Sequence, residues 1–242
     1  MADPYYRAAL ARVHHEGFAF HGDEVAPGVL ALLEPVRLAG GLVVELGCGS
    51  GLLTRHLVAA GHRVIATDAS PAMLDIARET VPGTVGIRRL TLPHDPIPAA
   101  DSIVAVGHPL NYLPSAADID AAIVAMARAL RPGGILAFDL CDLAYGASRA
   151  DLGSRGWVDT DWGLVTRFSL PSPDRFVRQM AVFTREADGT WRRDDERHDN
   201  VLVDTAGVPA LLAAHGVHAE VRRAFGDERL PDGLVAVVGR KA

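Results

Sequence analysis

Lysine is almost absent from this chain: among 24 basic residues Lys241 is the one lysine, and the rest are arginine. That bias looks like GC-rich codon usage and says little about function. Positive charge is in deficit as well. The 24 basic residues face 30 acidic ones for a formal charge of −6, which argues against a broad nucleic-acid surface. Cysteine is limited to Cys48 and Cys141, neither in a C-x-x-C pair. This excludes a disulfide framework and a cysteine-based zinc site, and fits a reducing compartment. No apolar run reaches transmembrane length, and Met1-Ala2-Asp3-Pro4-Tyr5-Tyr6 is no signal peptide. The expectation is a soluble cytoplasmic protein. Internal repeats and low-complexity segments are also missing. What is plentiful is apolar sequence, 49% of 242 residues, enough for one sizeable α/β domain with a modest addition.

The organising stretch is Val43-Val44-Glu45-Leu46-Gly47-Cys48-Gly49-Ser50-Gly51. Its β-branched residues read as a buried strand, and its three glycines allow a sharp turn and close approach to a ligand. Leu52 to Ala60 reads as a helix, so the turn delivers free backbone N–H groups to a helix N-terminus. A second apolar strand, Arg63 to Asp68, closes on an acid seventeen residues after Gly51. An acid there can take both hydroxyls of a ribose. This is a nucleoside-binding βαβ unit. A dinucleotide fingerprint would read G-x-G-x-x-G, whereas these glycines fall as Gly47-x-Gly49-x-Gly51 with Glu45 two residues ahead. A turn acidic on its strand side suits a cationic amino group better than a phosphate.

The E-x-G-x-G-x-G arrangement resembles the first motif of the class I S-adenosylmethionine (SAM) dependent methyltransferases. Further stretches resemble the family in order and spacing: Ser70-Pro71-Ala72-Met73-Leu74 with Ala77-Arg78, and Leu130-Arg131-Pro132-Gly133-Gly134 before an apolar strand. The resemblance covers about residues 40–140 well and the rest loosely. It implies an α/β, Rossmann-like seven-stranded sheet with a C-terminal antiparallel hairpin, SAM as cofactor and S-adenosylhomocysteine as product. It also implies cofactor contacts from Glu45, Gly47, Cys48, Gly49, Gly51, Asp68, Ala69, Met73, Leu90, Leu92 and Gly107. The residue after the acid and the Met lie near the adenosine in the family, though Met73 is equally a core residue by its spacing. The loop after the third strand (residues 84–90) covers the adenine in the family, usually with an acid. Arg88-Arg89-Leu90-Thr91-Leu92 lacks that acid at the usual place.

Ahead of the first strand, Pro4 to Val13 has helical spacing, and His14 to Phe20 and His21 form an aromatic and imidazole cluster in an expected loop. A second helix is expected from about Ala26 to Leu38. The cluster is either ordinary helix packing with solvated histidines or a lid over a methyl acceptor, and Tyr5, Tyr6 and His14 are the acceptor candidates, with Trp157 from farther along. Adjacent histidines do not converge on one ion, so no metal is expected. The fourth strand, Asp101 to Gly107, ends in His108-Pro109-Leu110-Asn111-Tyr112. Ligands of a doubly wound sheet sit at the carboxyl ends of its strands. His108 is therefore a candidate base, with His15 from the lid as an alternative and Tyr112 as companion. The competing reading leaves His108 bonded to the loop backbone.

Ser115-Ala116-Ala117-Asp118 is a capping box, Arg131 to Gly134 is expected to stop the helix it starts, and Ile135 to Leu140 is the fifth strand. Beyond Asp142 alternating strands recur: Trp157-Val158, Trp162 to Leu170, Phe176 to Phe183 and Thr190 to Val203, with Asp188-Gly189 as a hairpin signal. The last of them is polar on both faces, Arg193/Asp195/Arg197/Asp199 against Arg192/Asp194/Glu196/His198/Asn200. It is either solvated and paired across the sheet or a polar wall against the acceptor. A helix capped by Asp204 or Thr205 runs to Ala214, and Leu234 to Val238 reads as a central strand. The expected organisation is a helical lid (1–40), a SAM-binding core (41–145), an inserted antiparallel sheet (146–203) and a closing helix and hairpin (204–242). The expected function is methyl transfer to a small molecule through N, O or C, with a leaning to specialised metabolism. No nucleic acid or membrane partner is expected, and a homodimer is left open. Rival readings are a SAM-binding protein without catalysis and a nicotinamide-dependent oxidoreductase.

Overall fold

The computed structural model describes residues 5–150 and 152–242, so Pro4, the expected start of the first helix, lies outside them. Two helices lead, α1 (Ala8–Gly17) and α2 (Phe20–Leu38). Strands and helices then alternate as β1 (Leu42–Leu46), α3 (Thr54–Ala59), β2 (Arg63–Asp68), α4 (Pro71–Thr80), β3 (Gly86–Arg89) and β4 (Ala100–Ala105). A 3-10 turn at Pro109–Tyr112 precedes α5 (Ala116–Ala129), β5 (Leu130–Cys141) and α6 (Leu143–Ala150). Four strands follow, β6 (Ser154–Val158), β7 (Trp162–Ser172), β8 (Arg175–Arg185) and β9 (Trp191–Val201). The chain closes with α7 (Val208–Ala213), β10 (Val217–Arg222) and β11 (Leu234–Lys241).

The main sheet has seven strands in the order β3-β2-β1-β4-β5-β11-β10. The first five run parallel, while β11 is antiparallel to both β5 and β10. This is the expected sheet with its C-terminal hairpin. Its inner strands are apolar on both faces because both are covered. Ile119, Ile123 and Met126 of α5 and Leu212 of α7 pack on one side, and Val29 and Leu33 of α2 and Leu57 of α3 on the other. The remaining strands form a separate antiparallel sheet, β6-β7-β8-β9. Leu10 and Val13 of α1 fill its inner face with Trp162, Leu164, Met180 and Val182. Asn111 fixes where that sheet sits. Its Nδ2 donates to Cys141 O (3.1 Å) and Val201 O (2.6 Å), and its Oδ1 accepts from Cys141 N (2.8 Å). The ends of β9 and β5 are thereby tied at the carboxyl edge of the main sheet.

Two caps form as the sequence indicates: the Ser70 and Ser115 hydroxyls accept from Met73 N and Asp118 N. Other expectations need correction. The stretch from His14 to His21 is not a loop. His14 and His15 lie on α1 and His21 in the first turn of α2, leaving Phe18 and Ala19 between the helices. Neither helix has a side-chain N-cap, and α2 carries Pro27 and Pro35 inside it. Burial of Leu10, Ala11 and Val13, and of Val25, Val29 and Leu33, outweighs those weak local signals. Likewise, Arg131 to Gly134 does not precede β5 but forms part of it, with a register shift against β4 between Ala100 and Ser102. Helix α6 has no counterpart in the sequence reading.

Candidate active site

The glycine turn is built where a side chain will not fit. Gly47, Gly49 and Gly51 have φ of 68°, 55° and 86°, in the left-handed region. A Cβ on Gly47 would lie 2.4 Å from Pro109 Cβ, and one on Gly51 would lie 2.5 Å from Val81 Cγ2. The turn is held from below by Asp68, whose Oδ2 accepts from Gly49 N (2.9 Å) while Oδ1 accepts from Ser70 N (2.8 Å). One carboxylate thus joins the β1–α3 turn to the β2–α4 turn, and each oxygen keeps a lone pair for another donor. Burial holds the Asp68 pKa above the ordinary carboxylate range against those backbone hydrogen bonds. Glu45, 3% exposed, accepts from Thr54 Oγ1 through Oε2 (2.7 Å). Burial pushes its pKa up to about 8 against that bond, and the charge of Asp68 adds to the shift.

Above this turn opens a cavity of about 1410 Å³. Glu45, Gly47, Cys48, Gly49, Asp68, Ala69, Met73, Leu90, Leu92 and Gly107 all line it. Gly51 does not, and acts through the turn it permits. The loop after β3 carries an acid farther along than the family's usual place. Asp95 lines the cavity and bonds Thr91 N through Oδ2 (2.7 Å). Tyr5, Tyr6, His14 and Tyr112 line the same cavity.

His108, His15 and Trp157 do not line it. His108 adopts a left-handed φ of 49°, and its backbone N–H donates to Asp139 Oδ1. Its ring stacks on Tyr112 at 5.7 Å with Nδ1 buried and unpartnered. Burial, helped by the charge of Arg178, drives its pKa down to about 3, which makes it a weak base. His15 instead places Nδ1 2.9 Å from Ser50 Oγ, docking α1 on the glycine turn. Trp157 is partly exposed on β6 and meets Phe18 edge-on at 5.5 Å.

Two groups were missed in the sequence. The first is His21, which lines the cavity with Nε2 3.2 Å from Asp139 Oδ2. Asp139 is fully buried near the end of β5 and also accepts from Gly107 N (3.0 Å). Burial works against the charged imidazole, but the hydrogen bond and charge of Asp139 outweigh it and raise the pKa of His21. An acid inside the apolar run Ile135 to Leu140 was the available signal. The second is Arg178 on β8, which joins Glu196, His198 and Asn200 of β9 in the polar wall that was one of the two readings open for that strand. Strand β9 divides its two polar faces. Arg193–Asp195 and Arg197–Asp199 pair in the open at 2.9 and 2.8 Å, while Glu196, His198 and Asn200 turn inward. Burial keeps His198 below its usual pKa despite Glu196, and pushes His14 down to about 4 with help from Arg178.

Residues 43–134 match the family model of a methyltransferase domain. An uncharacterized methyltransferase of Mycobacterium bovis is 38% identical over 97 residues, which are 39% of this chain and 37% of that protein. The match therefore spans little more than a third of that relative's length. A solved S-adenosylmethionine-dependent methyltransferase from Clostridium acetobutylicum superposes with a TM-score of 0.79 at 16% identity, covering 96% of this chain and 97% of its own. A sugar N-methyltransferase from Streptoalloteichus superposes with a TM-score of 0.76 at 20% identity, covering 100% and 96%. At such identities these structures establish the fold. Among the described residues no helix is long and apolar enough to cross a membrane.

Proposed function

We propose that this chain, which belongs through its core to the class I S-adenosylmethionine-dependent methyltransferase family, methylates a small-molecule acceptor. The observation that carries the reading is the single cavity running from the Gly47–Gly51 turn, Glu45 and Asp68 to a chamber of tyrosines and histidines. The carboxyl groups at the turn suit SAM. Its carboxylates, Glu45 and Asp68, are buried without a bonded cation, which fits the amino group and sulfonium of SAM better than a pyrophosphate. Glu45, Gly47, Gly49, Asp68, Met73, Leu90 and Leu92 would hold it. When bound, SAM supplies a methyl carbon on a sulfonium that leaves as a neutral thioether, so no acid is needed for its departure.

The protein's part is to hold the acceptor in line in a dry site and to accept its proton. His21 suits the second role better than His108. It faces the cavity, and Asp139 both orients its ring and stabilises its protonated form. Tyr5 through α1 acts as the lid, α2 being part of the cover of the main sheet, and 146–203 acts as the acceptor-side sheet, supported by Tyr5, Tyr6 and His14 on one side and Arg175 and Asp199 on the other, all lining the cavity. The superposition on a sugar N-methyltransferase supports a polar small molecule as acceptor. The free buried cysteines support a reducing, cytoplasmic setting.

Calorimetric titration with S-adenosylhomocysteine, with NADH in parallel, tests the reading. Binding of the first at micromolar concentration and none of the second supports it. NADH binding alone would return the chain to the oxidoreductases.

A further inference from the structure

Among the described residues Arg178 is a cation without an anion. Its Nη2 donates to the Tyr112 hydroxyl and to Asn200 Oδ1 (3.3 Å), while Nε is shut away from solvent with no acceptor. Among the described residues no carboxylate lies within ion-pair distance of it. The acid on its wall, Glu196, is occupied by Tyr6 N (2.9 Å), Arg7 N (2.7 Å) and His198 Nε2 (2.9 Å). Around the guanidinium more polar atoms stand unused. His198, directly across the ladder from Arg178, is fully buried with Nδ1 unpartnered, and Asn200, 1% exposed, has Nδ2 unpartnered. Interiors seldom leave buried donors unmatched, and a buried charge costs most when unpaired. Several such atoms on one wall mark a place made for a ligand.

We propose that Arg178, Asn200 and His198 form a subsite for a carboxylate on the methyl acceptor, an inference that rests on the methyltransferase reading above. The Arg178 Nε–H and the Asn200 amide are donors with nothing to donate to. The free Nε–H of Arg178 and the Asn200 amide can each take one oxygen of a carboxylate, and one uncompensated positive charge balances a monoanion rather than a phosphate dianion. His198 donates through Nε2 to Glu196, so its Nδ1 is a lone pair that takes an N–H or O–H of the same acceptor. The subsite lies one side chain behind the cavity wall. Tyr6 and Tyr112 line the cavity, and their hydroxyls meet at 2.9 Å in front of the wall. The Tyr5 and Tyr6 rings cover His198 at 4.7 and 4.8 Å. Tyr6 adopts a left-handed φ of 59°, a strained backbone for a tyrosine. Entry of the acceptor requires the Tyr5–Tyr6 segment to swing aside, and the carboxylate then takes its place against Arg178.

The test uses the ¹⁵N-labelled full chain saturated with S-adenosylhomocysteine. Arginine Nε–H signals are followed as acetate and benzoate are added, with acetamide and benzamide as neutral counterparts and inorganic phosphate as the rival anion. The expected result is saturable movement of one Nε–H signal, identified by its absence from Arg178→Lys, with the carboxylates and not with the amides. Asn200→Asp keeps the side-chain shape and gives Arg178 an internal partner. It should weaken carboxylate binding by at least about tenfold and leave S-adenosylhomocysteine affinity unchanged. A signal unmoved at tens of millimolar carboxylate, equal movement with the amides, or tighter binding of phosphate would overturn the subsite. If S-adenosylhomocysteine binds and carboxylates do not, this proposal alone fails. If S-adenosylhomocysteine does not bind, the methyltransferase reading fails with it.

Discussion

At the glycine-turn end of the cavity, Glu45, Gly47, Gly49 and Asp68 belong to one βαβ unit, and their carboxylates are already bonded to Thr54, Gly49 and Ser70. At the far end, Tyr6, Tyr112, Arg178, His198 and Asn200 come from the N-terminal segment, the turn after β4 and two strands of the second sheet. There Arg178 Nε, His198 Nδ1 and Asn200 Nδ2 are left without partners. The first end is preorganised by hydrogen bonds within one unit of the chain. The second is assembled by tertiary contacts from four separate parts of the chain and leaves those polar atoms to a ligand in the subsite proposed above.

Substitutions that act on one end and spare the other sharpen this contrast. The largest effect is expected from His21→Gln, which removes the proton acceptor but not the cradle. Turnover of an acceptor found by screening should fall about 10²–10⁴-fold, with S-adenosylhomocysteine affinity held. In the wild type, the rising limb of the pH–rate profile should have its midpoint above 6.5, the ordinary histidine value, because Asp139 favours the imidazolium. A limb below that value would remove His21 from the role.

Gly47→Ala should act on the cradle by forcing a Cβ against Pro109 at a left-handed φ. Urea unfolding should report a loss of about 2–4 kcal/mol from backbone strain and overpacking together, and S-adenosylhomocysteine binding should fall with it. Asp68→Ala removes a carboxylate that joins two turns. With charged hydrogen bonds worth about 1.5–3 kcal/mol each, calorimetry should find S-adenosylhomocysteine affinity reduced by about tenfold or more. Unchanged affinity would break the assignment of that end.

Glu45 gives a pH signature. Its folded pKa of about 8 lies above the ordinary 4.5, so between those values the folded chain holds a proton that the unfolded chain has released. Stability of the ligand-free protein from this group is complete below about 4.5 and is lost as pH rises through about 8. Asp68, also raised, pushes the same way at its own lower end. Thermal melts of Glu45→Gln should show a flatter fall over that window than the wild type. The smallest effect is expected from His108→Ala, whose ring stacks behind Tyr112 and is a weak base. Turnover should change by less than about tenfold, and a His21-sized loss would restore His108 as the base.

Much of the fold was legible because its signals are local. The alternation of apolar strands with capped helices, the glycine spacing and the acid closing β2 all act within a few residues, and the seven-stranded sheet was expected from the family resemblance that those stretches carry. The helices α1 and α2 were misplaced at the His14–His21 stretch because their caps are weak and their stability comes from surfaces distant in the chain. The glycine turn with Glu45 and Asp68 was legible for the same reason that it is rigid, since all of it lies within one βαβ unit. The base was assigned to His108 because it follows a strand end, where position alone was visible.

Sequence by itself determined the cradle, since a turn of left-handed glycines between a buried strand and a helix admits few other residues. Only the tertiary structure decided which histidine faces the cavity and which is sealed behind it, because that depends on Asp139 from β5 meeting a side chain from α2. It alone also set the inward face of β9 against Arg178. A strand polar on both sides carries no mark of which side will be buried until a helix packs on one of them.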